Sequence, residues 1–148
     1  MMSLPTNLMP LLETALNTFD ILDSPEEEDE FIEKLRFFLD DNLILAALDL
    51  VDRDSVILYN TPWKHTKYEV LGTTSTYSVF LGRPDKTSLH TAYCTCPSFA
   101  YSVLASDTQY MCKHLLATVL AIRMSKCTKR VVSPNELAGK IMSGLSTT

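Results

Sequence analysis

Four potential metal ligands, arranged in two short motifs, are the feature that most constrains this chain. The motifs are Cys94-x-Cys96 and, fifteen residues later, Cys112-x-His114. Alternate residues of a strand point to one side, so an extended first motif can aim both sulfurs at one ion. Residues two apart in a helix diverge, so Cys112 must precede a helix and His114 must lie in its first turn. Three thiolates and one imidazole fill a tetrahedral Zn²⁺ shell, which is typical of a structural site.

Other uses of these four residues account for them less completely. A disulfide between Cys94 and Cys96 would close a small, strained ring and would form poorly in a reducing compartment. A nucleophile pair of Cys112 and His114 would leave the first motif without a role. The His-x-Glu and Pro-Cys-x-x-Cys motifs of nucleobase deaminases do not occur in the sequence. Chance spacing is the remaining alternative.

The composition predicts a globular protein inside the cell. The chain has 148 residues, 46% hydrophobic and 21% charged, which suffices for an ordinary core besides the metal. No apolar run is long enough to cross a bilayer, and the first Lys or Arg is Lys34, so we expect no membrane span and no targeting peptide. Thiols stay reduced in such a compartment, which favours metal binding. We expect Cys127 to be a free thiol and His65 and His90 to be surface residues.

Hydrophobic periodicity predicts an α+β fold with N-terminal helices, a small antiparallel sheet and a zinc-bound strand–helix unit. The predicted regions are a helical region at 1–54, a β-rich zinc domain at 55–130 and a C-terminal helix at 131–148. Strands are predicted at residues 56–59, 68–71, 77–81 and 89–94, and helices at 8–19, 25–39, 43–51, 98–104, 113–126 and from 134. Ser24 and Ser133 each precede a proline and have a glutamate three residues on, which is a capping signal. The apolar stripe of the first helix could pack in the core or form a docking face.

The charges are unevenly distributed along the chain. Residues 1–54 carry fourteen acidic and three basic residues, a net charge of −11, whereas residues 55–148 have four acidic and ten basic residues, a net charge of +6. Four cations cluster at the end of the predicted zinc helix: Arg123, Lys126, Lys129 and Arg130. They could contact phosphates, but cations also favour a helix C-terminus, and no aromatic residue lies among them to stack on bases. We therefore expect weak, salt-sensitive DNA binding by the chain alone.

The two ligand motifs resemble the SWIM zinc domain, whose signature is Cys-x-Cys followed by Cys-x-His. Ala117 matches the alanine that the extended signature places three residues after the histidine. The flanking sequence further resembles the SWIM subunit of Shu complexes over residues 43–122. The segments that carry this resemblance are ALDLVDR at 47–53, YEVLG at 68–72, YCTCPSFAYSVL at 93–104 and CKHLLA at 112–117.

This resemblance implies an adaptor rather than an enzyme. Members of the family form an obligate heterodimer with a paralogue of the RecA-like recombinase and promote recombinase filaments on single-stranded DNA during homologous recombination in the nucleus. The implied Zn²⁺ ligands are Cys94, Cys96, Cys112 and His114, with Ala117 as a packing residue. Single-stranded DNA is expected to bind mainly through the complex, and ATP would bind the partner because this chain has no P-loop. The alternative is a stand-alone nucleic-acid-binding SWIM module; a ubiquitin-ligase subunit would need a RING pattern, for which the cysteines are too few.

Overall fold

The computed structural model describes residues 8–18, 21–60, 66–82 and 86–131, and their α+β architecture confirms the predicted fold class. The helices are α1 (Met9–Leu16), α2 (Pro25–Leu35), α3 (Asp41–Asp52), a π-helix (Phe99–Ala105) and α4 (Lys113–Arg123). The strands are β1 (Val56–Asn60), β2 (Thr66–Leu71), β3 (Thr76–Phe80), β4 (Tyr93–Cys94) and β5 (Thr128–Val131). None of the described helices has the length and apolar character needed to span a membrane. The helix predicted from residue 134 and His65 lie outside the described residues.

Side-chain caps fix where α2 and α3 begin. The Ser24 hydroxyl accepts a hydrogen bond from the Glu27 amide at 3.2 Å, and the Glu27 carboxylate accepts one from the Asp23 amide at 2.8 Å. The capping signal predicted at Ser24 is therefore confirmed, although the glutamate reaches one residue further back. Asp40 caps α3 by accepting from the Asn42 amide at 3.4 Å. Acidic residues in the first turn of each helix also suit its dipole.

The sheet has the strand order β4-β3-β2-β1-β5. Strands β1 to β4 pair in antiparallel fashion, as predicted, whereas β5 lies parallel to β1 with Thr128 opposite Ile57. The sequence does not predict β5, because its four residues, TKRV, are too few and too charged to show the alternation of a strand. Its partner strand also lies far earlier in the chain, so no local pattern announces the pairing.

Two segments around the first ligand motif differ from their predicted form. The strand predicted at 89–94 is reduced to β4, because the amides of Thr91 and Ala92 bond to the Ser88 carbonyl at 3.2 and 2.8 Å and make a turn there. The short helix predicted at 98–104 is present, but it is wound as a π-helix. Such helices are rare and frequently occur at functional sites.

The zinc helix α4 ends at Arg123, three residues before its predicted end. Ser125 adopts a left-handed backbone with φ of 57°. The amides of Ser125 and Lys126 then bond to the carbonyls of Ile122 and Ala121 at 3.2 and 2.8 Å. This pair of hydrogen bonds is the Schellman pattern, which closes the helix and turns the chain toward β5.

Helix α4 is the central element of one hydrophobic core. Its residues 114–121 are all buried, between α3 on one side and the inner face of the sheet on the other. The rest of the core includes Leu12, Leu16, Phe31, Leu35, Val56, Val70 and Val79. The stripe of α1 therefore packs mainly inward, although Leu11 is 57% exposed. The regions predicted at 1–54, 55–130 and 131–148 remain predictions, but residues on both sides of position 54 share this core.

A buried polar network fixes α1 to the end of α4. The Arg123 guanidinium, in a residue only 8% exposed, donates to the Leu16 carbonyl at 3.2 Å and to the Asn17 side-chain oxygen at 3.1 Å. That oxygen also accepts from the Thr87 amide at 3.1 Å, and the Asn17 amide group donates to the Thr87 carbonyl at 3.0 Å. Arg123 is thus a structural cation, which corrects its placement among the candidate phosphate contacts. The other cations of that cluster are exposed: Lys126, Lys129 and Arg130.

Candidate metal centre

The first ligand motif lies at the end of β4, an outer strand of the described sheet. The Thr95 amide donates to the Ser78 carbonyl at 3.1 Å, and the Thr95 hydroxyl accepts from the Ser78 amide at 3.0 Å. The chain therefore continues along β3 past β4, which places Cys94 and Cys96 on the same side. The Phe99 amide, at the start of the π-helix, donates to Cys96 Sγ at 3.3 Å. The strand-like geometry expected of this pair is present.

The second ligand motif opens α4. Cys112 is the N-cap residue, with φ of −90° and ψ of 169°, and its Sγ accepts a hydrogen bond from the Leu115 amide at 3.5 Å. His114 lies in the first turn, and its carbonyl accepts from the Thr118 hydroxyl at 2.8 Å. This is the arrangement that the spacing of two residues requires. The positive end of the helix favours a thiolate at Cys112. The hydrogen bond with Cys94 also lowers the pKa of Cys112, but the one with Cys96 and burial outweigh it and raise the pKa to about 12.

The four predicted ligands come together and fit a zinc ion. Their ligand atoms all lie within 4.8 Å of one another, and every one of these residues is at least 95% buried. Tetrahedral zinc with bonds of about 2.3 Å holds sulfurs about 3.8 Å apart, so small side-chain adjustments suffice to close the shell. His114 Nδ1 is buried and makes no hydrogen bond, a cost that a metal bond would remove. The donor set and its burial suit structural zinc.

Hydrogen bonds among the three thiols separate their pKa values. Contacts with Cys112 and Cys94 lower the pKa of Cys96. Contacts with Cys112 and Cys96, together with burial, raise the pKa of Cys94. Because zinc binds thiolates, metal binding must displace the protons that the cluster holds. We therefore expect the zinc affinity of the chain to fall as the pH decreases.

Tyr77 is a contact of the centre that sequence reasoning missed. Its ring centroid lies 4.5 Å from that of His114, with a tilt of 37° between the rings. Strand alternation could have indicated it, because Tyr77 and Val79 share a face of β3 and Val79 lies opposite Cys94. The packing of α4 on that face, which brings His114 to the ring, is a tertiary contact that no local pattern reveals.

The remaining cysteine and histidine candidates lie apart from the centre. Cys127 is a free, half-buried thiol, and burial raises its pKa to about 11. His90 is exposed on the turn before β4. Across the described ranges, no second group of three or more Cys, His, Asp or Glu side chains is close enough to share an ion. Cys127 and His90 are therefore not part of the metal centre, as the sequence predicted.

Comparison with known proteins places the centre in a known domain type. The family model described as SWIM zinc finger matches residues 77–123, which include all four ligands. Zinc finger SWIM domain-containing protein 7 of Homo sapiens is 38% identical over 118 residues, covering 79% of this chain and 78% of the relative. The Mus musculus protein of that name is 37% identical over 123 residues, covering 82% and 75%. The Dictyostelium discoideum homolog is 29% identical over 108 residues, covering 72% and 65%. No solved structure matches the chain.

Proposed function

The chain belongs to the zinc finger SWIM domain-containing protein 7 family, and from this premise we propose that it is a non-catalytic adaptor for a RecA-like recombinase paralogue. The observation that carries the proposal is the closed centre, in which four buried protein ligands converge within 4.8 Å. A zinc ion held by all four has no free position for water or substrate, so it stabilises structure rather than activating a reactant. The resemblance of residues 43–122 to Shu-complex SWIM subunits supports the choice of partner.

In the proposed complex the two subunits divide the work. The partner supplies nucleotide binding, because this sequence contains no phosphate-binding loop of the P-loop type. This chain supplies a rigid zinc-stabilised surface, and the pair promotes recombinase filaments on single-stranded DNA during homologous recombination in the nucleus. The family resemblance supports this role, and the net charge of −5 suits a subunit whose main contacts are with protein.

Affinity isolation from native cells tests the proposal directly. We expect the tagged wild-type chain, isolated from a nuclear fraction, to recover a recombinase paralogue. The two chains should be present in roughly equal molar amounts. The Cys127→Ser variant, which leaves the centre intact, should recover the same subunit, whereas Cys112→Ser should not. A folded, zinc-loaded wild-type chain that repeatedly recovers no recombinase paralogue would contradict the proposed function.

A second candidate function is direct nucleic-acid binding by the SWIM unit itself. The observation that favours it is the exposure of Lys126, Lys129 and Arg130 at the end of α4 and in β5. Three exposed cations can neutralise phosphates, but Arg123 is engaged in the polar network and cannot join them. Tight binding of a single-stranded oligonucleotide by the isolated chain would favour this second function.

A further inference from the structure

His114 is the ligand through which solvent can approach the metal centre. A cavity of about 440 Å³ lies between α3, the turn that joins β2 to β3, and the start of α4. His114 is the one ligand of the four that lines this cavity, and at 5% it is also the most exposed of them. The cavity opens to the surface between exposed side chains: Arg53, Leu71, Thr73 and Lys113. Water or a competing ligand therefore reaches the centre on the His114 side.

Tyr77 forms the wall of the cavity next to the imidazole. Its ring centroid lies 4.5 Å from that of His114, which is within the range of aromatic pairs. Metal-binding histidines usually donate their second ring N–H to a carboxylate or carbonyl, and this hydrogen bond fixes the orientation of the ring. No such hydrogen bond from the imidazole occurs among the described residues, and Nδ1 is buried without a partner. Tyr77 is therefore the side chain that is placed to fix this ring, and it does so by packing.

Gly72 leaves the space that the Tyr77 ring occupies. It begins the turn of residues 72–75, in which its amide donates to the Ser75 carbonyl at 2.8 Å. A Cβ atom at Gly72 would lie 3.0 Å from Tyr77 Cε2 and 2.8 Å from the Ser75 carbonyl oxygen. Carbon atoms pack best about 3.5–4.0 Å apart, so a larger residue would displace either the ring or the turn. The ring of Tyr77 is thus held between this turn and His114.

We propose that Tyr77 is a positioning residue of the zinc centre, whose ring orients the His114 imidazole and closes the cavity in front of the metal. Gly72 contributes indirectly, by leaving room for that ring. The contact slows zinc release, because the three cysteines are at most 2% exposed and the imidazole must turn aside before another ligand can enter. The inference concerns the zinc centre alone, so it does not depend on the proposed partner.

The rate of zinc release from the purified, zinc-loaded full chain tests this role. Tyr77→Leu removes the ring and keeps an apolar side chain, whereas Tyr77→Phe keeps the ring. An excess of the coloured chelator pyridylazoresorcinol takes up the released metal, and its absorbance gives the rate. We expect Tyr77→Leu to release zinc roughly tenfold faster than the wild type, at the upper end of what an aromatic pair contributes. Tyr77→Phe should keep the wild-type rate.

Gly72→Ala tests the same contact without changing Tyr77. The added methyl group displaces the ring, so this variant should also release zinc faster than the wild type. It keeps the proposal testable if Tyr77→Leu does not fold. Both variants should change the visible absorption of the chain loaded with Co²⁺ in place of zinc, because that absorption depends on ligand geometry. Tyr77→Phe should leave the Co²⁺ spectrum unchanged.

Tyr68→Leu is the matched control, because Tyr68 is another half-buried tyrosine of the same sheet. It interacts electrostatically with Arg123 and Cys127, beyond the end of α4 that is far from the metal. The control should lower the free energy of unfolding in urea but leave the zinc release rate and the Co²⁺ spectrum as in the wild type.

The opposite results would each overturn the assignment. Wild-type release from zinc-loaded Tyr77→Leu would show that the ring does not hold the ligand. Equal acceleration in Tyr68→Leu would attribute the effect to general stability. Release from Tyr77→Phe as fast as from Tyr77→Leu would attribute it to the hydroxyl group instead of the ring. A wild-type chain that binds no zinc would remove the centre itself, and the role of Tyr77 with it.

Discussion

Cys112 combines two roles at one position, because its sulfur both caps α4 and belongs to the metal cluster. The Sγ accepts from the Leu115 amide at 3.5 Å, and the residue is fully buried. A serine at this position can still accept that hydrogen bond, since serine is a good N-cap residue. Replacing Cys112 by serine therefore removes a metal ligand while preserving the cap. This makes it a sharper test of the zinc site than alanine.

We expect Cys112→Ser to lose zinc and to unfold, while Cys127→Ser keeps both zinc and structure. Structural zinc contributes an apparent binding free energy of about 10–16 kcal/mol at neutral pH, whereas a whole domain is stable by about 5–15 kcal/mol. The loss of one ligand can thus exceed the entire stability of the chain. Metal content per chain and thermal unfolding of both variants give the answer. Equal zinc content and equal melting temperatures would show that Cys112 is not a ligand.

Cys127 should be the one thiol of the zinc-loaded chain that alkylates, and it should do so slowly at neutral pH. Burial raises its pKa to about 11, so the reactive thiolate is scarce until the solution approaches that pH. The same shift stabilises the fold below the ordinary thiol pKa of about 8.5, and this contribution is lost as the pH rises through the folded value. Mass spectrometry after timed iodoacetamide treatment at several pH values measures the rate. Rapid labelling of Cys127 at pH 7 would contradict the burial argument.

At the scale of elements, α1 depends on the polar network that joins it to α4. Replacing Asn17 by alanine removes the acceptor of one Arg123 hydrogen bond and both side-chain contacts with Thr87. Leaving partners in such a network unsatisfied costs about 1–3 kcal/mol. We expect Asn17→Ala to lower the free energy of unfolding by that amount in urea titrations. Thr18→Ala, at an exposed position whose hydroxyl donates to the Thr14 carbonyl, is the matched control and should change little.

Elements specified by local patterns were predictable, and those specified by distant partners were not. The Ser24 cap, the alternation of β1 to β3 and the placement of Cys112 just before α4 all follow from residues a few positions apart. Strand β5 and the Arg123 network depend on partners far along the chain, such as Leu16 and β1. The metal ligands were predictable because a tetrahedral shell constrains spacing and local geometry together. The Tyr77 contact with the imidazole became visible only once α4 was packed on the sheet.

At the scale of the whole molecule, charge is separated between two regions. The acidic residues are concentrated in the helices before residue 54, while Lys126, Lys129 and Arg130 follow the zinc helix. The acidic helices repel DNA at low salt, whereas the exposed cations attract it. A partner that contributes further cations would shift this balance toward binding. The DNA affinity of the proposed complex should therefore depend more steeply on salt than the DNA affinity of the chain alone.

We expect the isolated chain to bind single-stranded DNA weakly and the proposed complex with the recombinase paralogue to bind it much more tightly. Each neutralised phosphate of a single strand contributes a slope of about −0.7 to log affinity against log salt, so three cations give at most about −2. Replacing Lys126, Lys129 and Arg130 by alanine should bring the slope for the chain alone close to zero. The complex should keep most of its affinity and steeper slope after the same change.

Lys34→Ala with Arg36→Ala, on the acidic helices, is the control and should not weaken binding in either form. Titration of a fluorescent dT oligonucleotide at several salt concentrations measures all of these values. If the chain alone binds DNA tightly and the triple substitution abolishes that binding, the adaptor proposal is contradicted. The chain would then be a direct DNA-binding zinc module.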